Sequence, residues 1–257
     1  MGAVADLRLI AVPGFPLVRK DDDLAGQLLE SLAASDLSLE PGDIVVFAQK
    51  VVSKSEGRMV DLASVQPSPR AAALAAVVNK DPRLVELIVQ QSRRIVRAAK
   101  EVLIVEHHLG FIMANAGIDQ SNVAGEAGGE FALLLPEDPD GSAQRLSTRL
   151  SARCGHAVPV IISDSFGRPW RVGTVGIAIG VAGLAATLDL RGRPDLFGRK
   201  LRVTLVGHAD EIAAAASLLM GQSAESRPVV IVRGLPRSEP HSTAQALLRP
   251  GNEDLFR

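Results

Sequence analysis

The chain has 257 residues, 47% hydrophobic and 22% charged, the make-up of a well-cored globular protein of one large or two modest domains. Its 28 basic and 29 acidic residues leave a net charge of −1, so no global field recruits nucleic acid or an anionic membrane. Aromatics are only 3% and tyrosine is absent, which argues against a base-stacking nucleic-acid platform.

Cys154 is the only cysteine, which excludes a disulfide framework and a CxxC metal site and suits a reducing compartment. The N-terminal stretch lacks the basic region and long apolar core of a signal peptide, and no run approaches the roughly 18 apolar residues of a membrane span. A cytoplasmic location is the expectation.

In chain order, residues 7–12 read as a strand broken by Pro13-Gly14. Asp21 to Asp23 then introduce a helix with Leu24, Leu28, Leu29 and Leu32 along it, acidic residues at its start suiting the dipole. Pro41-Gly42 turns the chain into DIVVFA (43–48), a buried-type strand. That strand delivers Gln49, Lys50, Ser53, Lys54, Ser55, Glu56 and Gly57 into a polar stretch. A lysine just past a strand end can meet a phosphate as a point charge; solvated lysine surface is the other reading. Ser68-Pro69 and Asp81-Pro82 each place a capping side chain before a proline at the first helical position, predicting helices over 70–78 and 83–92. Residues 102–106 and 111–114 read as a hairpin around His107-His108-Leu109-Gly110. Adjacent histidines point to opposite sides of a strand, so the pair reads as a turn rather than a metal site.

NAGIDQSN (115–122) follows, an oxygen-rich loop that suits a hard cation or a plain turn. A glycine-rich turn at 125–130, a strand over 131–135, and a helix from Ser142 to about Cys154 come next. The segment VPVIISDSFGRPWRVGTVGIAIGVAG (158–183) opens on a doubly buried strand that runs into Asp164. The predicted loop beyond it carries Ser165, Gly167, Arg168, Trp170, Arg171 and Gly173 before a second apolar run at 176–182. A carboxylate, a hydroxyl and two guanidinium groups leave a rigid strand together, where binding groups tend to sit, although Asp and Ser are also ordinary turn formers. A basic loop (191–200), a strand (202–206), an Ala-rich helix (210–220) stopped at Gly221, and a last core strand (229–232) follow. From Ser238 the chain reads as a polar, separable tail with one short helix near 243–248.

Strands follow one another directly in several places, which predicts an α+β fold rather than a doubly wound sheet. No P-loop, no GxGxxG after a strand and no GxSxG elbow is present.

Taken together, GFPLV, VVSKSEGR (51–58), NAGIDQSN, SDSFGRPWR with GxxGIAIG, DLFGR (195–199), DEIAAAASLLMGQ (210–222) and VVIVRG (229–234) resemble the coenzyme F420-0:L-glutamate ligase (F420 γ-glutamyl ligase) family, over nearly the whole chain. The resemblance implies a ligase domain over 1–237 built from two interleaved subdomains with mixed sheets, a tail over 238–257, and an intertwined homodimer. It implies GTP-dependent joining of L-glutamate to coenzyme F420-0, with release of GDP and phosphate and further γ-linked glutamates. Asp119, Asp164 and Ser165 match ligands for Mg2+ or Mn2+, with K+ as a further cation. Phe15, Pro16, Leu17, Val18, Gln49, Lys50, Lys54 and Asn122 match GTP contacts. Leu218, Leu219, Met220, Gly221, Gln222, Ser223, Ala224 and Glu225 match a further nucleotide segment, in which Gln222 stands where some relatives carry an acidic metal ligand. In bifunctional bacterial relatives a nitroreductase-like, flavin-binding domain follows the ligase half; Arg257 falls where it would continue, so no flavin step is expected here.

The implied chemistry suits these residues. Activating a carboxylate as an acyl phosphate needs positioning and charge neutralisation more than a protein nucleophile. Lys54, Arg168 and Arg171 are the candidates to offset the developing charge, the arginines on position alone. Two other readings keep the same residues: an amide ligase with a different phosphorylated acceptor, and a non-catalytic nucleotide-binding protein, toward which Gln222 points.

Overall fold

The two apolar runs IVVFA and VIIS become neighbouring strands in the middle of one sheet. The computed structural model describes residues 6–123 and 129–254. In chain order its elements are β1 (Arg8–Ala11), α1 (Leu24–Ala33), β2 (Ile44–Ala48), α2 (Gln49–Ser55), β3 (Met59–Asp61), α3 (Pro69–Val78) and α4 (Pro82–Gln90). Then come β4 (Ser92–Ala99), β5 (Val102–His107), β6 (Ile112–Ala114), β7 (Phe131–Leu133), α5 (Pro139–Cys154), β8 (Val160–Arg168) and β9 (Arg171–Ala182). β10 (Leu188–Asp189), β11 (Leu205–Val206), α6 (His208–Met220) and β12 (Val229–Arg233) complete the set.

The five-stranded sheet runs β1-β12-β2-β8-β9. Only β2 and β8 pair in parallel, so the sheet is mixed and the fold α+β. Side chains alternate across a strand, and both faces here are apolar. Val45, Phe47, Val160 and Ile162 pack with Leu28 of α1 and Leu150 of α5. Ile44, Val46, Ile161 and Val230 pack with Ala209, Ile212 and Ala213 of α6 on the other side. Phe47 is fully buried, and truncating such a ring to alanine costs about 3–5 kcal/mol.

Two glycines let helices approach β9 from both sides. A Cβ on Gly176 would stand 2.7 Å from the Ala213 carbonyl oxygen of α6, and one on Gly180 only 2.3 Å from that of Pro139 in α5. The register slip that pairs Gly180 with Ile162 but Ala178 with Ser163 inserts one residue, which turns the two glycines to opposite faces.

Between α2 and α5 the chain leaves the sheet and builds a second core. There β3 pairs with β7, β4-β5-β6 form a small sheet, and Leu62, Val85, Ile88, Leu103, Val105 and Ala132 are buried together. The two proline-led helices start as the sequence predicts: Ser68 Oγ accepts from Ala71 N at 3.2 Å and Asp81 Oδ1 from Arg83 N at 2.8 Å.

Several sequence expectations change. The polar stretch after β2 is the helix α2, because Val51 and Val52 anchor it in the core. α4 ends at Gln90, and β4 follows where no strand is predicted; Arg93, Arg94 and Arg97 and two register slips hide its alternation. α5 begins at Pro139, three residues before the predicted start at Ser142, with Asp138 as its cap. The predicted loop at 165–173 is a β-hairpin arm, turned at Pro169 and Trp170, the latter at φ 58°. The strands expected at 131–135 and 202–206 shorten to Phe131–Leu133 and Leu205–Val206. Most of the glycine-rich turn at 125–130 lies outside the described residues.

The segment after Ser238 is packed rather than loose. Ser242 N donates to Leu184 O at 3.0 Å, Ser238 Oγ and Ser242 Oγ accept from Ala185 N and Ala186 N, and Ala244 is fully buried. Among the described residues no helix is long and apolar enough to cross a membrane.

Candidate functional site

Ala48 and Ser163 are the last register partners of the parallel strands β2 and β8, at the point where β2 ends and β8 runs on to Arg168. Each strand therefore hands its next residues to the same crevice, a position favoured for ligands in parallel sheets. β2 runs into α2, so Gln49 and Lys50 stand in that helix's first turn and Lys54 one turn on. β8 delivers Asp164 and Ser165. Asp119 arrives from the second core, its backbone held by a bridge in which Asp119 N and Leu133 N each donate to the other's carbonyl, at 3.0 and 2.8 Å.

A cavity of about 430 Å³ opens over these ends. Phe15, Pro16, Leu17 and Val18 line it, with Gln49, Lys50, Lys54 and Asn122. So do Asp164 and Ser165, and the run from Met220 through Gly221, Gln222, Ser223 and Ala224 to Glu225. Leu218 and Leu219 do not: Leu218 is exposed and Leu219 packs on the core beneath α6. Arg168 and Arg171 close the end of the β8–β9 arm as a register pair and do not line the cavity.

Asp119 sits just behind the wall. Its Oδ2 accepts from Gln49 Nε2 at 2.8 Å and its Oδ1 lies 3.4 Å from Lys50 Nζ. Burial pushes the Asp119 carboxyl up, against the opposing pull of Lys50 and Gln49. Asp164 is pushed up to about 7, first by removal from water and second by the Asp119 charge, with a smaller opposing bond from Ser165 N at 2.8 Å. Desolvation, then Lys50, lowers the Lys54 ammonium. Two crowded carboxylates beside two crowded ammonium groups can be relieved by a cation at the first pair and an anion at the second.

The donors available to a metal are the Asp119 and Asp164 carboxylates, the Ser165 hydroxyl and the Gln222 amide. That all-oxygen set fits a hard divalent cation such as Mg2+ or Mn2+. Among the described residues no three His, Cys, Asp or Glu side chains gather around one point, so the described carboxylates here are this pair.

Two loops meet over the lysines. Lys50 Nζ donates to Ser121 Oγ at 2.9 Å, Lys54 Nζ to Asn122 O at 2.9 Å, and Asn122 Nδ2 to Ser223 O at 3.0 Å. The loop after α6 is drawn tight: Ser223 N donates to Glu225 Oε2 at 2.8 Å, and a Cβ on Gly221 would stand 2.2 Å from the Glu225 carboxyl carbon.

Sequence reasoning misses Ser163, Ser217 and Arg227, which also line the cavity. Ser163 carries a usable signal, one residue before Asp164 at the strand end. Ser217 sits in an Ala-rich helix and Arg227 before a strand, where no motif marks them.

The family described as F420-0:Gamma-glutamyl ligase matches residues 14–234. A Methanothermobacter thermautotrophicus protein named Coenzyme F420:L-glutamate ligase is 46% identical over 253 residues, 98% of this chain and 99% of its own length. A Methanopyrus kandleri protein of that name is 44% identical over the full length of both. An Archaeoglobus fulgidus one is 40% identical over 98% of this chain and 96% of its own. With one family matched from Gly14 to Gly234 and full-length relatives at these identities, the chain belongs to the F420-0:gamma-glutamyl ligase family.

Proposed function

We propose that the protein is a ligase of coenzyme F420 biosynthesis that joins L-glutamate to coenzyme F420-0 at the expense of GTP. The relatives' shared name, Coenzyme F420:L-glutamate ligase, supports the substrates. The observation that carries the site is the meeting of Asp119 and Asp164 with Lys50 and Lys54 where the pairing of β2 with β8 stops. GTP dependence rests on the resemblance of the segments 15–18 and 218–225, most of which line the same cavity.

In this reading an acceptor carboxylate oxygen attacks the γ-phosphorus, the bond to the GDP oxygen breaks, and an acyl phosphate forms. The glutamate amine then attacks the acyl carbon, the carbon–oxygen bond breaks, phosphate leaves, and the amine gives up a proton. Asp119, Asp164, Ser165 and Gln222 would hold Mg2+ or Mn2+, which would neutralise charge on the terminal phosphates. Lys50 and Lys54 receive the phosphate oxygens in place of the Ser121 and Asn122 atoms they now bond. Arg168 and Arg171 reach developing charge only if the β8–β9 arm or a partner brings them to it. No protein group becomes covalent, and water must be kept from the acyl phosphate until the amine arrives.

Homodimer formation is part of the proposal. Trp170 and Val172 on the β8–β9 arm, and Leu196, Phe197 and Val203 between β10 and β11, are almost wholly exposed, more large apolar surface than a monomer keeps without use. Light scattering should give twice the chain mass. The function is tested with GTP, Mn2+, coenzyme F420-0 and L-glutamate. Mass spectrometry should find the acceptor heavier by one or more glutamyl residues, and omission of glutamate should abolish GDP release. Rapid GTP loss without glutamate, with no glutamylated product in the full mixture, would favour the nucleotide-binding reading to which Gln222 points.

A further inference from the structure

We propose that Ser53 is a positioning residue for the cation site: acting through the Gln49 amide, it fixes the Asp119 carboxylate and so sets the affinity for the divalent cation. The proposal rests on the reading that Asp119 holds that cation. Ser53 does not line the cavity and is fully buried, so it meets no ligand itself. It stands four residues after Gln49 in α2, one turn away on the same face. Its hydroxyl donates to Gln49 Oε1 at 2.8 Å, and Gln49 Nε2 donates to Asp119 Oδ2 at 2.8 Å.

The polarity of this chain is forced. A carboxylate can only accept, so the Gln49 nitrogen must face Asp119 and the Gln49 oxygen must face the other way. With Gln49 only 1% exposed, no bulk water reaches that oxygen, and the Ser53 hydroxyl meets it. Without the hydroxyl the Gln49 oxygen is buried with no partner, and the amide loses the anchor that holds its nitrogen where it aims the Asp119 carboxylate. Serine is also a poorer helix former than alanine, so its place in the middle of α2 calls for a reason beyond helix propensity. Partners that orient a ligating carboxylate typically change metal affinity by about 10- to 100-fold when lost.

The test is calorimetric titration of Mn2+ into wild type, Ser53→Ala, Ser53→Thr and Asp119→Asn, with metal-free GTP binding measured beside it. Ser53→Ala should weaken Mn2+ about 10-fold or more, Ser53→Thr should stay within about twofold of wild type, and metal-free GTP binding should stay within about twofold in both. If Asp119→Asn weakens Mn2+ while Ser53→Ala leaves it unchanged, the positioning role is overturned and the cation reading stands. If Asp119→Asn binds Mn2+ as wild type does, both fall. If Ser53→Ala loses Mn2+ and metal-free GTP affinity together, α2 has been damaged as a whole and the specific role is overturned. Should Ser53→Ala not fold, Ser53→Cys, of similar size and a weak donor, carries the same prediction and the same contradiction.

Discussion

Asp140 and Ala244 meet across 104 residues of chain: the Ala244 backbone N–H donates to Asp140 Oδ1 at 2.9 Å. The same oxygen accepts from Val181 N at 2.8 Å, so one carboxylate in the first turn of α5 ties the C-terminal segment to β9. Leu247 packs against the α6 side of the core and Leu248 against the α1 and α5 side, so the segment reaches both apolar faces.

Asp140→Ala leaves two inward-facing N–H groups without a partner. At about 1–3 kcal/mol for each, urea denaturation should show a loss of about 2–6 kcal/mol. Ending the chain after Leu235 should be worse, because it removes Ser238, Ser242 and Ala244 together. A truncated chain that unfolds as cooperatively and as late as the whole would contradict this.

His107 should make stability depend on pH. Leu109 N donates to its Nδ1 at 2.9 Å, which keeps the proton on the other nitrogen and favours the neutral ring. Burial, then His108, Arg58 and Arg93, lowers its pKa from 6.5 to about 4. Because the folded pKa is the lower one, its contribution is full above about pH 6.5 and is lost as pH falls through about 4, up to about 3 kcal/mol. His107→Asn keeps an acceptor for Leu109 and cannot titrate, so its stability should fall less between those limits. Equal slopes for the two proteins would remove His107 as the cause.

Much of the fold is legible because hydrophobicity dominates it. IVVFA and VIIS announce buried strands, and Ser68-Pro69 and Asp81-Pro82 announce helix starts by a mechanism local to each pair. α2 is only seven residues long, too short for a helical period to show, so its lysines read as loop. In β4 Arg93 and Arg94 pair with Glu106 across the hairpin, a long-range fact that strand propensity does not encode. The tail reads as separable because its few apolar residues are scattered, and only their docking sites reveal them as anchors. At the site, Asp119 and Asp164 are readable as carboxylates in polar segments that follow apolar runs. That one charge raises the other requires the register of β8, the bridge to Leu133 and the position of α2 at once. Ser53 is readable as part of the polar stretch after β2, but its bond to Gln49 shows only in the fold, and Arg227 carries no local signal.

Lys54→Ala should cost little stability, since among the described residues its head group bonds Asn122 O alone and lies beside another ammonium that repels it. The same truncation removes a cation from the phosphate end of the cavity. GTP affinity measured by titration should drop about 10-fold or more, as expected for a charge-assisted contact. Unchanged affinity in a folded variant would return Lys54 to the role of surface lysine.

The most direct test of the account follows the oxygen of the bond that the reaction breaks. Coenzyme F420-0 labelled with 18O in its reacting carboxylate is incubated with GTP, Mn2+ and L-glutamate, and the released inorganic phosphate is weighed. An acyl phosphate cleaved at carbon passes one labelled oxygen to phosphate for every amide formed, and that one-to-one transfer is the predicted result. Unlabelled phosphate alongside glutamylated product would show that the carboxylate is activated in another way and would contradict the mechanism proposed for this site.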